Sequence, residues 1–364
     1  AHAGPLNPPA GPVASTPGPE PRIPVNSTNT PGDASNTFRI TQPGSYYLTG
    51  NITGEVDKNA IRIEASDVTL DLNGFTIQGV PGAGFGIRDN NAANITVTNG
   101  TVRGFVTGVS LNGPSGGNVL RDVSCVGNSI TGISATNGTL TRCIAFSNAA
   151  AGFILSGSSS AIDCFSGSNG TSGFSSSGNA HFERCIADFN TGNGFNANGN
   201  AAFFNCEAIG NANGFATIAA TTLRDCIAVD NRQSGISCTG TNAGGIITGC
   251  TSRFNLADGI FVSNGLLVRD NTLFRNTSAG IRVAGADNRI EANNPTGGAL
   301  GIAITGTGNL VLRNSCSGNT TNYSIVAGNA VAPIVQASNN IAAINGSTYA
   351  GPFGTTDPHA NFAY

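Results

Sequence analysis

Six cysteines recur at nearly constant intervals, and their thiols are the most distinctive reactive groups of this chain. Successive members are 21, 21, 21, 20 and 24 residues apart. The six are Cys143, Cys164, Cys185, Cys206, Cys226 and Cys250. Three interpretations are open: buried thiols that pack as small apolar groups, disulfides between repeats in an oxidising compartment, or a soft-metal site. Because a one-dimensional stack does not give tetrahedral ligand geometry, we predict a structural cysteine column.

The position just before this cysteine position is charged in four successive repeats, and the sign alternates. The four residues are Asp122, Arg142, Asp163 and Arg184. Opposite charges stacked one repeat apart would form an external charge ladder, which helps to fix the register of neighbouring repeats. Such exposed pairs contribute only modestly to stability. A catalytic role for these carboxylates is the alternative interpretation.

The other acidic residues do not form an evident catalytic pair. Glycoside hydrolysis needs two carboxylates about 5 to 10 Å apart, which on stacked repeats means neighbouring positions of adjacent repeats. The remaining acids look scattered, and they are Glu183, Asp188, Glu207, Asp230, Asp258 and Glu291. We therefore predict no catalytic residue.

The histidines also lack a functional arrangement. His2, His181 and His359 are far apart in the chain and form no pair at metal-ligand spacing. The segment Asp357-Pro358-His359 resembles the Asp-Pro-His core of alginate epimerases, but it lies in the tail and lacks the flanking residues of that core. There is no Asp-x-Asp calcium pattern. The sequence predicts no metal ligands, no cofactor-binding residues and no cofactor.

A repeat of 20 to 24 residues positions all these side chains. A glycine followed by an apolar residue recurs at this interval from Gly86-Ile87 to Gly301-Ile302. Such a period is typical of solenoids, and short apolar runs separated by Gly or Asn are typical of strands and tight turns. We predict an all-β fold, a right-handed parallel β-helix with three short strands per coil.

Stacked coils should place like residues in columns. Coils lie about 4.8 Å apart, so an inward phenylalanine column is expected, and the glycine before each phenylalanine should adopt a backbone angle closed to other residues. The outward positions look dominated by Ser, Asn, Gly and Ala, with the aromatic residues inside. An asparagine ladder should bond along the axis at one turn. Its members are Asn128, Asn148, Asn169, Asn190, Asn211, Asn231, Asn255 and Asn276.

Composition excludes several partners. The net charge is −3 and only 10% of residues are charged, which argues against nucleic acid and against a membrane surface. No apolar run reaches the ~18 residues of a membrane span. The sequence starts Ala1-His2-Ala3 and contains no methionine. We expect a secreted or cell-surface protein whose signal peptide has been removed.

Four segments differ in composition. Residues 1–37 form a Pro/Gly-rich N-terminal arm that we expect to be extended. Residues 38–60 are expected to be capping strands over the first coil. Residues 61–329 form the parallel β-helix, and residues 330–364, which lose the period, form a C-terminal cap or tail.

Motifs at both ends of the chain carry a resemblance to a known family. The opening PGDASNTFRITQPGSYYLTGNITG, the following IRIEASDVTLDLNGFTIQGVPG and the closing DPHANFAY resemble secreted right-handed parallel β-helix repeat proteins of planctomycetes and related bacteria. The resemblance covers nearly the whole chain. Because most of that family has no assigned activity, the resemblance implies the fold and export and does not imply a reaction.

Two functions of different classes fit these features. The first is a non-catalytic extracellular structural protein, not an enzyme, whose partner is itself: a homo-oligomer, filament or surface layer joined through the N-terminal arm. The alternative is a carbohydrate-binding or polysaccharide-degrading β-helix with a polysaccharide partner. Its distinguishing feature would be a groove with outward aromatic residues and clustered Asp or Arg. The lack of an evident catalytic set favours the structural role.

Overall fold

The computed structural model describes residues 22–113, 116–240, 244–336 and 355–364. Every regular element within these ranges is a strand, and successive coils pair in parallel. The prediction of an all-β parallel β-helix is confirmed. Each coil contributes one short strand to each of three faces, which we number in the order in which the chain runs through them.

The first face is a sheet of 14 strands. From Phe85–Asp89 to Leu300–Ile304, each strand begins near the repeating Gly-apolar pair. The strands are Asn36–Ile40, Asn59–Ile63, Phe85–Asp89, Thr107–Leu111, Thr131–Thr136, Phe153–Ser156, Phe174–Ser177, Phe195–Ala197, Phe215–Thr217, Ile236–Cys238, Ile260–Val262, Ala279–Val283, Leu300–Ile304 and Thr321–Ile325.

The second face follows in each coil. It consists of Ile23–Pro24, Gly44–Tyr47, Val68–Asp71, Gly138–Thr141, Ser159–Ile162, Ala180–Glu183, Ala201–Phe204, Thr221–Arg224, Gly245–Thr248, Leu266–Arg269, Arg289–Glu291, Leu310–Leu312 and Ala330–Val331. Two longer strands, Ile95–Arg103 and Asn118–Val126, run continuously from this face into the third.

The third face closes the coil. Its shorter strands are Ile52–Thr53, Thr76–Gln78, Ile144–Phe146, Phe165–Gly167, Ile186–Asp188, Glu207–Ile209, Ile227–Val229, Thr251–Arg253, Thr272–Phe274 and Asn294–Thr296. The last coil ends in a three-stranded sheet. It consists of Ser315–Cys316, Ile334–Gln336 and Asn361–Ala363.

Aromatic stacking fills the middle of the solenoid. The rings of Phe153 and Phe174 lie 4.6 Å apart between centroids, and Phe174 and Phe195 lie 4.9 Å apart. A second stack, Phe182 on Phe203 at 5.0 Å, meets the first edge to face. One inward residue per coil forces this spacing, because equivalent side chains sit one strand separation apart.

The asparagines of the predicted ladder are buried and bonded in series. Each amide Nδ2 donates to the Oδ1 of the next member, as from Asn169 to Asn190 at 2.9 Å and from Asn255 to Asn276 at 2.8 Å. The backbone N–H of Asn169 donates to the same Asn190 oxygen at 3.1 Å. Each coil is thereby joined to the next at a turn that would otherwise leave buried polar groups unpaired.

The repeating glycines beside this ladder have a different role from the predicted one. Gly194, for example, has no left-handed backbone angle. A Cβ at Gly194 would lie 2.7 Å from the carbonyl oxygen of Gly214 and 2.8 Å from Nδ2 of Asn211. The prediction of a special backbone angle was therefore wrong. Glycine is needed here because the neighbouring coil and the ladder approach too closely for any side chain.

The structure places the cysteine column in the interior of the solenoid. All nine cysteines of the chain lie in the described ranges and are buried free thiols. Cys185 Sγ donates to the carbonyl oxygen of Ala161 at 3.2 Å, and burial raises the pKa of the Cys185 and Cys226 thiols well above their usual range. In the coil after Cys250, the column position is occupied by Asn271. Its Oδ1 accepts the Cys250 N–H at 2.9 Å.

The two ends of the described chain pack onto the solenoid. Ile23–Pro24, within the predicted arm, pairs with Tyr46 and Tyr47 on the second face. Asn361–Ala363, within the predicted tail, pairs with Ser315–Cys316. Residues 1–21 of the arm and 337–354 of the tail lie outside the described residues. No helix in the described ranges is long and apolar enough to cross a membrane.

Candidate functional site

The predicted charge ladder lies where the chain passes from the second face to the third. Its four residues have left-handed backbone angles and form two closed pairs. Arg142 Nε lies 2.7 Å from Asp122 Oδ1, and Arg184 Nε lies 2.7 Å from Asp163 Oδ1. The hydrogen bonds from the two arginines lower the pKa of both carboxyl groups. A carboxylate held ionised by an arginine is poorly suited to donate a proton.

The third face carries a hydrophobic surface that sequence reasoning missed. Its outward residues on five successive coils form what we call the apolar stripe. The stripe comprises Ile144, Phe146, Phe165, Ile186, Phe189, Ile209 and Ile227. Phe189 is 64% exposed and Phe146 is 40% exposed. The expectation that aromatic residues face inward holds for the stacked phenylalanines of the core and is wrong for this face.

Two glycines allow aromatic rings of the stripe to lie against the backbone. A Cβ on Gly167 would lie 2.8 Å from the Phe165 ring and 3.2 Å from the Phe146 ring. A Cβ on Gly210 would lie 2.6 Å from the Phe189 ring. These glycines leave room for the rings to settle onto the main chain. The exposed aromatic surface can then serve as a platform for an apolar face of a ligand.

Asp188 is the charged residue at the centre of the stripe. In the strand register, Asp188 lies next to Gly167 of the preceding coil and Ile209 of the following coil. Phe189 follows it in the chain. Its Oδ1 is buried and has no hydrogen-bond partner in the part of the chain that the structure describes. Burial raises the pKa of Asp188, because the charged form is poorly solvated. This carboxyl group is therefore suited to hold a proton and to donate it.

Glu207 provides a second carboxylate on the same face. In the strand register, Glu207 lies next to Ile186, whereas Asp188 lies next to Ile209. The two acids therefore occupy neighbouring outward columns of adjacent coils. Strands about 4.8 Å apart with a rise of about 3.3 Å per residue separate the two Cα atoms by roughly 8 Å. Cα atoms at this distance on one face allow the two carboxyl groups to reach the separation that a glycosidase needs. Both acids are visible in the sequence, but nothing in their spacing indicates that they lie together.

Two other regions carry titratable side chains close together. His181 Nε2 lies 3.6 Å from Glu183 Oε2 on the second face, and Glu183 also contacts Arg184. A cavity of about 540 Å³ at the C-terminal end of that face is lined in part by Arg289, Asp357 and His359.

The charged groups of the C-terminal cavity are already engaged. Arg289 is paired with Glu291 at 2.7 Å, and Asp357 Oδ1 accepts the His359 N–H at 2.8 Å. In the described ranges, no group of three or more His, Cys, Asp or Glu residues could hold a metal ion. The third face is the stronger candidate because its central carboxyl group is unpaired and its aromatic rings are exposed.

Comparisons with known proteins address the fold. Residues 218–296 match the family model described as a right handed beta helix region. No curated protein sequence matches the chain. Among solved structures, the A-module of mannuronan C-5 epimerase AlgE4 from Azotobacter vinelandii has a TM-score of 0.55 at 15% identity, covering 79% of this chain and 90% of that module.

A second module of the same kind gives the same result. The A-module of mannuronan C-5 epimerase AlgE6 from Azotobacter vinelandii has a TM-score of 0.54 at 16% identity, covering 80% of this chain and 91% of that one. At such identities the similarity concerns the fold.

The predictions of a non-catalytic, self-assembling structural protein and of no enzymatic activity are contradicted by these matches. These two solved structures, which share the coil architecture over about four-fifths of the chain, are modules of enzymes named for a polysaccharide substrate. The physical reason for the error is the third face, which presents outward aromatic residues beside carboxylates where the sequence suggested small polar residues. By its fold, the chain is a right-handed parallel β-helix protein.

Proposed function

We propose that the chain binds an extended polysaccharide along the third face and hydrolyses a glycosidic bond between Asp188 and Glu207. The observation that carries this proposal is the unpaired, partly buried Asp188 carboxyl group at the centre of an exposed aromatic stripe. Aromatic rings bind the apolar faces of sugars. An ordinary surface carboxylate in a structural protein would be solvated or paired.

The two carboxyl groups would divide the reaction between them. Asp188 donates its proton to the leaving oxygen as the bond from the anomeric carbon to that oxygen breaks. Glu207 accepts a proton from the water molecule that attacks the same carbon from the opposite side. The products are two shorter chains, and exchange of protons with solvent restores both carboxyl groups. An inverting enzyme holds its two carboxyl groups about 6.5 to 9.5 Å apart to leave room for this water. Side chains on Cα atoms roughly 8 Å apart allow that spacing, so we assign inversion at the anomeric carbon.

The test is a cleavage assay on a panel of soluble polysaccharides: β-glucans, mannan, xylan, alginate and pectate. We expect new reducing ends from at least one of them. Nuclear magnetic resonance of the first product should show the anomeric configuration opposite to that of the substrate linkage. Retention of configuration would contradict the assigned roles, and a lack of both cleavage and binding across the panel would refute the proposed function.

A second prediction concerns Phe189, whose φ of 49° lies in the left-handed region. A residue other than glycine there costs roughly 1–2 kcal/mol, and the equivalent position of the next coil is Gly210. Phe189→Gly should therefore leave the free energy of unfolding within about 1 kcal/mol of wild type. Loss of the exposed ring should weaken polysaccharide binding about tenfold, or about 1.4 kcal/mol.

The matched control is Phe254→Gly. Phe254 has a φ of 58° but lies three coils further along, outside the apolar stripe. Binding measured by affinity electrophoresis should be retained in this variant. Equal binding by Phe189→Gly and wild type would show that the ring is not part of the binding surface.

A location outside the cytoplasm would suit a polymeric substrate, and the secreted or cell-surface location stays a prediction. The division into segments 1–37, 38–60, 61–329 and 330–364, and the structural roles of the cysteine, asparagine and charge columns, are also retained as proposals. The hydrogen bonds and ion pairs described above support the roles of the columns.

A further inference from the structure

The charge on the third face indicates which class of polysaccharide it can accept. The outward positions of its strands from Ser124 to Val229 contain Asp188 and Glu207 and contain no lysine or arginine. These positions span five coil spacings, about 24 Å, which is enough for several sugar residues. A ligand lying there meets apolar groups and negative charge.

Several arginines border this region. Arg103 and Arg253 extend its outward column by one coil at the two ends, opposite Val126 and Val229, and the arginines along its edges are already occupied. Arg142 and Arg184 are bound to Asp122 and Asp163 on one edge. On the other edge, Arg232 Nη2 donates to the carbonyl oxygens of Asn190 at 2.8 Å and Thr191 at 2.7 Å. None of these guanidinium groups is positioned to pair with a carboxylate on each sugar of a bound chain.

We infer that the substrate of this face is an uncharged polysaccharide rather than a polyuronate. The inference rests on the proposed function and narrows it to one substrate class. A polyuronate would bring one carboxylate per sugar towards Asp188 and Glu207 without a compensating cation, and such like-charge contact opposes binding. An uncharged hexose chain offers apolar C–H faces for the rings of Phe146, Phe165 and Phe189, and hydroxyl groups for the two acids.

The experiment compares hexasaccharides of equal length by isothermal titration calorimetry with the full chain. The uncharged probes are cellohexaose, mannohexaose and laminarihexaose, and the charged probes are hexamannuronate and hexagalacturonate. We expect at least one uncharged probe to bind about tenfold more tightly than either uronate, a difference of about 1.4 kcal/mol. Its affinity should not change with added salt, because no ion pair is formed.

The outcomes distinguish failure of the uncharged-substrate inference from failure of the proposed function. Tighter, salt-dependent binding of a uronate, or equal binding of both classes, would overturn the inference of an uncharged substrate and leave the proposed function standing. Lack of binding by every probe, together with lack of cleavage of the polymers, would overturn both.

A charge-insertion variant tests the physical reason directly. Ile209→Arg places a cation beside Asp188, in the column that the structure shows. It should raise the affinity for hexamannuronate and lower the preference for the uncharged probe. The control is Ile154→Arg, the same substitution at an exposed isoleucine on the first face. If both variants changed uronate binding equally, the effect would come from net charge and the inference would fail.

Discussion

Replacement of Asp188 by asparagine is expected to reduce polysaccharide cleavage by about 10²- to 10⁴-fold, the contribution typical of a general acid. Asparagine keeps the size of the side chain and cannot supply the proton that the leaving oxygen needs. Binding should persist, because the aromatic rings of the stripe are unchanged. The rate is measured as reducing ends released per unit time at saturating polysaccharide.

The control for this substitution is Asp230→Asn, which removes an exposed carboxylate at a turn of the same face and should leave the rate unchanged. The pH dependence supplies a second readout. Cleavage should fall as pH rises past the raised pKa of Asp188, because the acid is then ionised. Equal rates for Asp188→Asn and wild type would exclude Asp188 as the acid.

The free energy of unfolding should also depend on pH through the titration of Asp188, and it should fall as pH rises. Burial raises its pKa above the usual 3.8, so the folded state binds more protons than the unfolded state between 3.8 and the raised value. Wild-type stability therefore falls as pH rises through this window. Asp188→Asn does not titrate, so it should be more stable than wild type at neutral pH and equally stable below pH 3.8.

Replacement of Asn255 by alanine is expected to lower the free energy of unfolding by about 3–5 kcal/mol. The side chain is fully buried. Its Oδ1 accepts the N–H of Asn231 at 3.0 Å and the Asn231 amide at 2.9 Å, and its amide donates to Asn276. Alanine would leave buried donors and acceptors of both neighbouring coils unpaired.

Urea denaturation followed by circular dichroism measures this loss. Because each coil contacts only its neighbours, the variant should unfold in two steps, with the break at the substituted coil. Asn200→Ala is the matched control. The side chain of Asn200 is exposed and donates to Asn179 at 3.3 Å, so the change should stay within about 0.5 kcal/mol. Similar losses in both variants would show that the ladder does not hold the coils together.

The coil period and the inner columns could be predicted from the sequence because the same residue type returns on each coil. Such series run from Asn128 to Asn276 and from Cys143 to Cys250. The glycine beside the ladder was misinterpreted because its constraint comes from the next coil. A sequence alone does not give the distance from Gly194 to the Gly214 carbonyl group.

The candidate site was harder to predict for a geometric reason. Its two acids lie on diagonal positions of adjacent coils and are separated by fewer residues than one repeat, so Asp188 and Glu207 look unrelated in the sequence. Phe189 occupies a turn position where neighbouring coils have Ser168 and Gly210. Nothing in the surrounding sequence indicates that its side chain faces outward. Register and turn conformation, which depend on the whole coil, bring these residues together.

The asparagine ladders also give the solenoid a polarity. Up to Asn255, each amide in the series donates one N–H to the oxygen of the next coil towards the C-terminus and accepts from the N-terminal side, as do Asn271 and Asn293 of a shorter series. The second N–H of several of them donates to a backbone carbonyl oxygen of the preceding coil. Backbone dipoles in a sheet largely cancel, whereas these side-chain dipoles point one way and polarise each other. The axis therefore carries a net dipole with its positive end at the last coils, so an anion is favoured at that end of the rod over the first coils.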